Sequence, residues 1–319
     1  TRKRRVLVGS AFSVLCTGAL SQATGVPALF AASFAAGLGL GCYLPLGLAI
    51  IADVSRPGRR ARNMSLHEVM ASAGNVAGSA FVALALPALT WRQATLAWTA
   101  VGLLAFVLFS FLREPPRKQR VPADAAPLRL DAVLVACVAA FAVTQMLIGG
   151  LVAVLPLILV HVWGAGQGEA AALVGVGRLA GLAGVGIAGA FGDRLGAASL
   201  ARAFLVLALV TTGLMAVVPY GMLFAAAVLG LNVAASGAIM LLTIVVAQVY
   251  PGSEKDRAFS VTSGAAGLSG LVAAPVFFGA LVEQGLAQAP FALAATFALV
   301  AVFLVGYLGR HAAPQPVRT

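Results

Sequence analysis

The stretch EAAALVGVGRLAGLAGVGIAGAFGDRLG (169–196) carries one charge, Arg178, between its first residue and the pair Asp193-Arg194. Its apolar run is longer than the ~20 residues that a helix needs to cross a hydrocarbon core of ~30 Å. Small residues recur at helical spacing, and such a face lets a second helix approach closely. They are Gly177, Gly181, Gly184 and Ala188. The stretch therefore predicts a membrane helix over 168–192 that packs tightly against a neighbour.

The rest of the chain repeats this pattern of long apolar runs. It is 61% hydrophobic and 10% charged, and its mean hydropathy is +1.00. Because backbone groups in lipid must be hydrogen-bonded within the segment, runs of this length predict helices and an all-α integral membrane protein. The predicted spans are 6–22, 26–52, 64–89, 91–112, 130–160, 168–192, 199–218, 220–249, 259–286 and 289–309.

Positive charge alternates along the chain. Nineteen of the 21 Lys and Arg residues lie before the first apolar run or after the second, fourth, sixth, eighth and tenth runs, and the opposite gaps hold only Arg92. Since cytoplasmic loops retain Lys and Arg, both ends of this chain are predicted to be cytoplasmic, in what we interpret as a prokaryotic inner membrane. The net charge of +11 is thus a topological signal that faces anionic lipids, and nucleic acid is not an expected partner.

A polar, proline-rich stretch, REPPRKQRVPADAAPLR (113–129), divides the chain. It predicts a cytoplasmic linker between a partial bundle of four spans over 1–112 and a six-span bundle over 130–319. A shift of 195 residues aligns 51–65 with 246–260 without a gap. These segments lie six spans apart, so the repeat is parallel, as in one class of secondary transporter.

The loop Gly189-Ala-Phe-Gly-Asp193-Arg194-Leu-Gly196 resembles the G-x-x-x-D-R-x-G signature of the major facilitator superfamily. Residues 155–196 and 37–54 resemble the same family, and the likeness covers essentially the whole chain. It implies a two-bundle fold with ten helices here, four plus six of the usual six plus six. The family's first two helices would then be missing, so the chain is interpreted as N-terminally incomplete.

The resemblance also implies gating loops on the cytoplasmic side. In the family, the Asp and Arg of the signature form a charge relay that stabilises one conformation, which assigns this role to Asp193 and Arg194 between Gly189 and Gly196. Asp53 and Arg62 form a second candidate latch after the second predicted span.

Arg178 is the most conspicuous polar residue within a predicted span. A charge at the centre of a bilayer costs at least ~2.5–3.5 kcal/mol on insertion scales, so this side chain needs a reason to be there. It could bind an anion or carboxylate in a transport cavity, because a guanidinium can bind such groups with two hydrogen bonds. Alternatively, it is structural and pairs with a buried acid or with carbonyl groups.

Four polar residues share one face of the third span. They are Glu68, Ser72, Asn75 and Ser79. This stripe predicts a substrate cavity, and a polar contact between helices is the alternative. Glu68 is the candidate carboxylate for proton coupling, and His67 could assist it or lie at the membrane interface.

Gln145, Asn232 and Tyr43 lie within other predicted spans and could line a cavity or serve as packing contacts. We expect no metal or cofactor. An enzyme is disfavoured because no paired carboxylates or nucleophile–base pair lie at a common depth.

The sequence favours a monomeric secondary transporter of a small organic solute, in either direction, with proton coupling as an open alternative. The alternative is a non-transporting membrane protein, receptor-like or a degenerate remnant.

Overall fold

The computed structural model describes residues 2–41, 43, 50, 60–85, 88–113, 130–250 and 254–311. Within these ranges the chain is mainly α-helical and has no β-strand, which confirms the predicted all-α class. We number the helices α1 Arg2–Leu20, α2 Val26–Gly41, α3 Arg60–Ala85, α4 Trp91–Phe111, α5 Ala132–Val162, α6 Gln167–Leu195, α7 Ala197–Val217 and α8 Met222–Val249. The ninth, α9, joins Glu254–Gly267, Leu268–Ala273 and Ala274–Glu283, and α10 is Ala289–His311.

Seven helices in the described part of the chain are long and apolar enough to cross a membrane. They are α4 to α10. Two shorter apolar helices, Val26–Gly41 and Val69–Ala85, fall inside the second and third predicted spans. These apolar helices follow one another along the chain, as expected for a membrane protein with several spans.

The chain divides into two compact units, one of residues 1–70 and 81–121 and the other of residues 71–80 and 122–319. The predicted boundary at 113–129 falls mostly outside the described residues and stays a prediction. In the first unit, α1 packs on both α2 and α4. A Cβ atom on Gly39 of α2 would lie 2.5 Å from the carbonyl oxygen of Gly9, so these two helices touch through their backbones.

The second unit depends on close packing between α6 and α8. A Cβ atom on Gly184 would lie 2.1 Å from the carbonyl oxygen of Val233, and one on Gly181 would lie 2.7 Å from Oγ of Ser236. Ala188 completes this face and is fully buried. The predicted small-residue face is therefore confirmed, and it holds α6 at backbone distance from α8.

Two π-helical turns meet where α5 crosses α9. The turns are Met146–Leu151 and Leu268–Ala273. A Cβ atom on Gly150 would lie 2.4 Å from Cβ of Ala274, and one on Gly270 would lie 2.5 Å from the backbone of Gln145. Glycine thus permits the contact at the points where each helix departs from regular α geometry.

The start of α5 is tied to the end of α8 by Asp131 and Tyr250. The Asp131 carboxylate accepts a hydrogen bond from the Leu134 amide at 2.8 Å and caps the helix. The Tyr250 hydroxyl donates to the same carboxylate at 3.2 Å. Burial, reinforced by Asp131, raises the pKa of Tyr250, so its phenol stays protonated and remains a donor.

Aromatic side chains close the opposite end of the second unit. The Trp163 ring lies 4.7 Å from the Phe224 ring, edge to face, and stacks against Tyr220 at 5.7 Å. Tyr220 in turn donates a hydrogen bond to Glu169, and this bond raises the pKa of the phenol. Both ends of the bundle are therefore fixed by side-chain contacts, while glycines set the spacing at its centre.

We predict that Gly184→Ala destabilises the protein. The added methyl group would meet the Val233 backbone, which cannot rotate away, so α6 and α8 must separate. Overpacking of this kind costs about 1–3 kcal/mol, and the unfolding midpoint in detergent should fall accordingly.

Gly186→Ala is the matched control, because a Cβ atom on Gly186 of the same helix meets nothing within 4 Å. Alanine has the higher helix propensity, so this variant should be neutral or slightly more stable. Equal midpoints for the two variants would contradict the contact between α6 and α8.

Candidate functional site

Arg178 lies on α6 and is half-buried. Among the described residues, no carboxylate or carbonyl group forms an ion pair or hydrogen bond with its guanidinium. The preceding residue, Gly177, belongs to the face that packs on α8. The position of Arg178 is therefore set by the contact of its neighbour Gly177 with α8. The charge of Arg178 has no described counter-ion.

Asn232 of α8 lies directly against this part of α6. A Cβ atom on Gly177 would be 2.8 Å from the Asn232 Nδ2, and the Asn232 side chain is only 1% exposed. Its Nδ2 donates to the Val228 carbonyl at 2.9 Å, and its Oδ1 is the buried side-chain atom without a hydrogen-bond partner in the described structure. Asn232 thus occupies the helix interface next to Arg178.

Gln145 is half-buried at the start of the π-helical turn of α5, where Gly270 of α9 packs on its backbone. Gln145 is a predicted site residue. Gly149 and Gly150, which carry the same contact, were not predicted from the sequence. The available signal was a pair of adjacent glycines within an apolar span, since such residues favour close helix approach.

Three side chains of the polar stripe of α3 are described, and they lie in residues 71–80, which belong to the second unit. Ser72 and Ser79 are half-buried, Asn75 is exposed, and the Ser79 hydroxyl donates to the Asn75 carbonyl at 3.1 Å. A Cβ atom on Gly175 of α6 would lie 3.4 Å from the Ser79 Cβ. Ser79 therefore contacts α6 one helical turn from Arg178.

Three other predicted residues belong to the first unit. The Tyr43 and His67 rings lie 5.8 Å apart with a 46° tilt, so the structure brings these two side chains together. The backbone of Glu68 is helical within α3, and its side chain lies outside the described residues.

The signature loop forms the sharp junction between α6 and α7. Gly196 has φ +81°, a left-handed conformation that glycine adopts without a steric penalty, and α7 begins at the next residue. A Cβ atom on Gly189 would lie 3.7 Å from the Met240 side chain. The Arg194 side chain is exposed. The Asp193 side chain lies outside the described residues, so its pairing with Arg194 stays a prediction.

The second candidate latch also stays a prediction. Asp53 lies outside the described residues, as does the side chain of Arg62, whose backbone is in α3. Among the side chains that the structure does describe, no three His, Cys, Asp or Glu residues lie close enough to hold a metal ion.

Comparison with solved structures identifies similar folds. The chain is similar to a bacterial homologue of the human lysosomal transporter Spinster, in an inward-facing, unoccupied conformation, with a TM-score of 0.71 and 16% identity over 98% of this chain and 83% of that one. The same homologue in its occupied conformation gives a TM-score of 0.72 and 17% identity over 97% and 82% of the two chains. The human organic anion transporter MFSD10 gives a TM-score of 0.73 and 20% identity, over 95% of this chain and 77% of that one.

No curated protein sequence matches the chain significantly. The family model of the Major Facilitator Superfamily does match, over residues 1–245. Proteins of this family are integral membrane proteins that act as secondary transporters of small molecules, a class distinct from enzymes. The match, together with the helical architecture, shows that this chain belongs to the major facilitator superfamily.

Proposed function

We propose that the chain transports a small organic solute that carries a negative charge, and that Arg178 binds this charge. The observation that carries the proposal is a half-buried guanidinium, within an apolar helix, that has no described acid or carbonyl partner. The structural alternative requires such a partner. An anionic substrate would supply it only while it is bound.

The energetic argument follows from the position of Arg178 in α6. A charge there is disfavoured by at least ~2.5–3.5 kcal/mol on insertion scales. A carboxylate or phosphate group that binds in bidentate geometry offsets this cost, because charge-assisted hydrogen bonds strengthen when water is excluded. Substrate binding would thus be linked to stabilisation of α6.

The stripe of α3 supplies the neutral polar groups of the proposed site. Helix α6 comes three spans after α3, so the two helices are antiparallel, and they touch at Ser79 and Gly175. One turn away in the same direction, α3 presents Asn75 and α6 presents Arg178. We therefore assign Asn75 and Ser79 to hydrogen bonds with the uncharged part of the solute.

Asn232 and Gln145 take supporting positions in this proposal. Because Asn232 is buried against Gly177, it would hold the backbone of α6 at the height of Arg178. Gln145 begins the π-helical turn that meets α9, and its half-buried amide would extend the polar lining.

The transport cycle would be alternating access, in which two helix bundles rock about the bound solute. The loops with Asp193 and Arg194, and with Asp53 and Arg62, would stabilise one end state. The charge alternation supports cytoplasmic ends in a prokaryotic inner membrane. The human structural neighbour is described as an organic anion transporter, which is compatible with this substrate class. The proposal covers uptake and efflux alike.

Proton coupling would use Glu68. Its place on α3 puts a carboxylate on the helix that carries Asn75, two turns along the same face. His67, held against Tyr43, is the adjacent titratable group. Protonation of Glu68 would remove a charge from the membrane and so ease the change of conformation.

Arg178→Gln should weaken the binding of anions by about 10- to 100-fold, because a hydrogen-bonded charge is replaced by a neutral amide. The measurement is ligand-dependent thermal stabilisation of the full purified chain with monocarboxylates, dicarboxylates and phosphate esters. Each anion is compared with its neutral amide or alcohol.

Arg178→Lys keeps the charge but not the bidentate geometry, so it should bind with intermediate affinity. Arg113→Gln removes one charge from an exposed position and serves as the control. The proposal fails if Arg178→Gln is stabilised by every anion as strongly as the wild type, or if only neutral solutes stabilise the wild type.

Glu68→Gln should abolish accumulation driven by a pH gradient but preserve solute exchange, because the variant binds solute without taking up a proton. Transport into proteoliposomes with and without a pH gradient makes this comparison. Glu283→Gln, which changes an exposed carboxylate at the end of α9, should transport like the wild type. Gradient-driven accumulation that survives in Glu68→Gln would exclude this carboxylate as the coupling group.

A further inference from the structure

Arg202 of α7 lies across a gap in the surface of α10. A Cβ atom on Gly306 would be 3.4 Å from the Arg202 Nε and 3.5 Å from its Cζ. The guanidinium therefore rests on the half-buried backbone of a glycine in the neighbouring helix. One turn towards the start of α7, a Cβ atom on Gly309 would lie 3.0 Å from the Ala198 Cβ, which fixes the two helices side by side.

A second cation lies on the same helix close to this gap. Arg310 follows Gly306 by four residues and so lies on the same face of α10, one turn nearer its end. Side chains in a helix lean towards its N-terminus, so Arg310 leans towards Gly306, and Arg202 leans towards the start of α7. Because α7 and α10 are antiparallel, these directions would bring the two side chains towards each other.

The two arginines have no described counter-charge. Both are exposed, and within the described ranges neither forms an ion pair with an acid. The neighbouring His311 contacts Tyr307 instead. Their rings lie 4.4 Å apart, and the His311 Nδ1 lies at a hydrogen-bonding distance of 3.0 Å from the Tyr307 carbonyl oxygen. Two like charges drawn to one gap repel each other unless an anion lies between them.

Exposed apolar side chains follow along both helices. On α7, Val206 and Val210 follow Arg202 at helical spacing and are 44% and 58% exposed. On α10, Phe303 lies one turn from Gly306 and is 71% exposed. A cationic end above an apolar groove matches the chemistry of a phospholipid, with its charged headgroup joined to acyl chains.

We propose that the Gly306 gap, formed by Arg202, Gly306, Arg310, Val206 and Phe303, binds one anionic phospholipid. The two guanidinium groups bind the phosphodiester, the glycine leaves room for the Arg202 guanidinium to lie against α10, and the acyl chains lie along Val206 and Phe303. Basic pockets between membrane helices recognise headgroups in this way. With the orientation proposed above, the lipid belongs to the cytoplasmic leaflet; the site does not depend on Arg178 or on the solute transported.

The apolar groove distinguishes a lipid from a soluble anion. Inorganic phosphate would gain the two charge-assisted contacts but leave Phe303 and Val206 unoccupied. Exposed arginines hold small anions weakly in water, because screening and hydration offset most of the attraction. The acyl chains add burial of apolar surface and keep the headgroup at the depth of the arginines.

The test is native mass spectrometry of the full chain, purified in detergent and supplied with phosphatidylglycerol or phosphatidylcholine. The wild type should retain one phosphatidylglycerol in preference to phosphatidylcholine, and a large excess of inorganic phosphate should not displace it. In the double variant Arg202→Gln/Arg310→Gln, retention of phosphatidylglycerol should fall by about 30-fold, since each basic residue at a membrane surface contributes about fivefold.

Two further variants distinguish lipid binding at this site from a general effect of positive charge. Arg5→Gln/Arg113→Gln removes the same charge from exposed positions in the first unit and should retain the lipid like the wild type. Gly306→Phe keeps both arginines but fills the gap, and should lose the lipid. Unfolding midpoints in phosphatidylcholine should be alike for all variants.

Equal retention of phosphatidylglycerol and phosphatidylcholine by the wild type would overturn the proposal. So would displacement by phosphate, or equal loss in the two double variants. Transport activity is not a readout here, so these outcomes are independent of those expected for Arg178.

Discussion

The close contact between α6 and α8 is the constraint on which the second unit depends. Gly177, Gly181 and Gly184 bring the backbone of α6 against Asn232, Val233 and Ser236, at distances where any side chain would clash. In a membrane, helices gain little from hydrophobic burial against each other, so such contacts and their hydrogen bonds carry much of the association. This contact also places Arg178 next to the buried Asn232.

The same constraint links packing to the proposed transport. A helix fixed by close contact cannot slide freely, so Arg178 keeps its half-buried position, where the described residues supply no counter-ion. Its neighbour Gly175 touches Ser79 of α3, which brings the polar stripe to the same part of α6. In the proposed site, the charge and the neutral polar groups would lie about one turn apart, because glycines on different faces of one helix receive two partners. A rigid element of this kind suits a mechanism of moving bundles.

The extent to which sequence predicted these features differs from residue to residue. The helices, the small-residue face of α6 and the family followed from apolar length, from spacing by three and four residues and from the Asp193-Arg194 loop. Asn232 was expected in a cavity or in a packing contact, and the structure places it at the interface of α6 and α8. The meeting of two π-helical turns at Gly150 and Gly270 was not anticipated, because such turns leave no signal in hydrophobic periodicity.

Sequence by itself determined that this protein is helical and spans a membrane, because a bilayer accepts long apolar runs only when their backbone groups are hydrogen-bonded internally. It also identified Arg178 as exceptional, since a charge in such a run is costly wherever the helix packs. Only the tertiary structure decided which helix packs against each face of another helix. Partners far apart in sequence, such as Ser79 with Gly175 and Arg202 with Gly306, meet through glycine gaps whose matching surfaces exist only after the helices have packed.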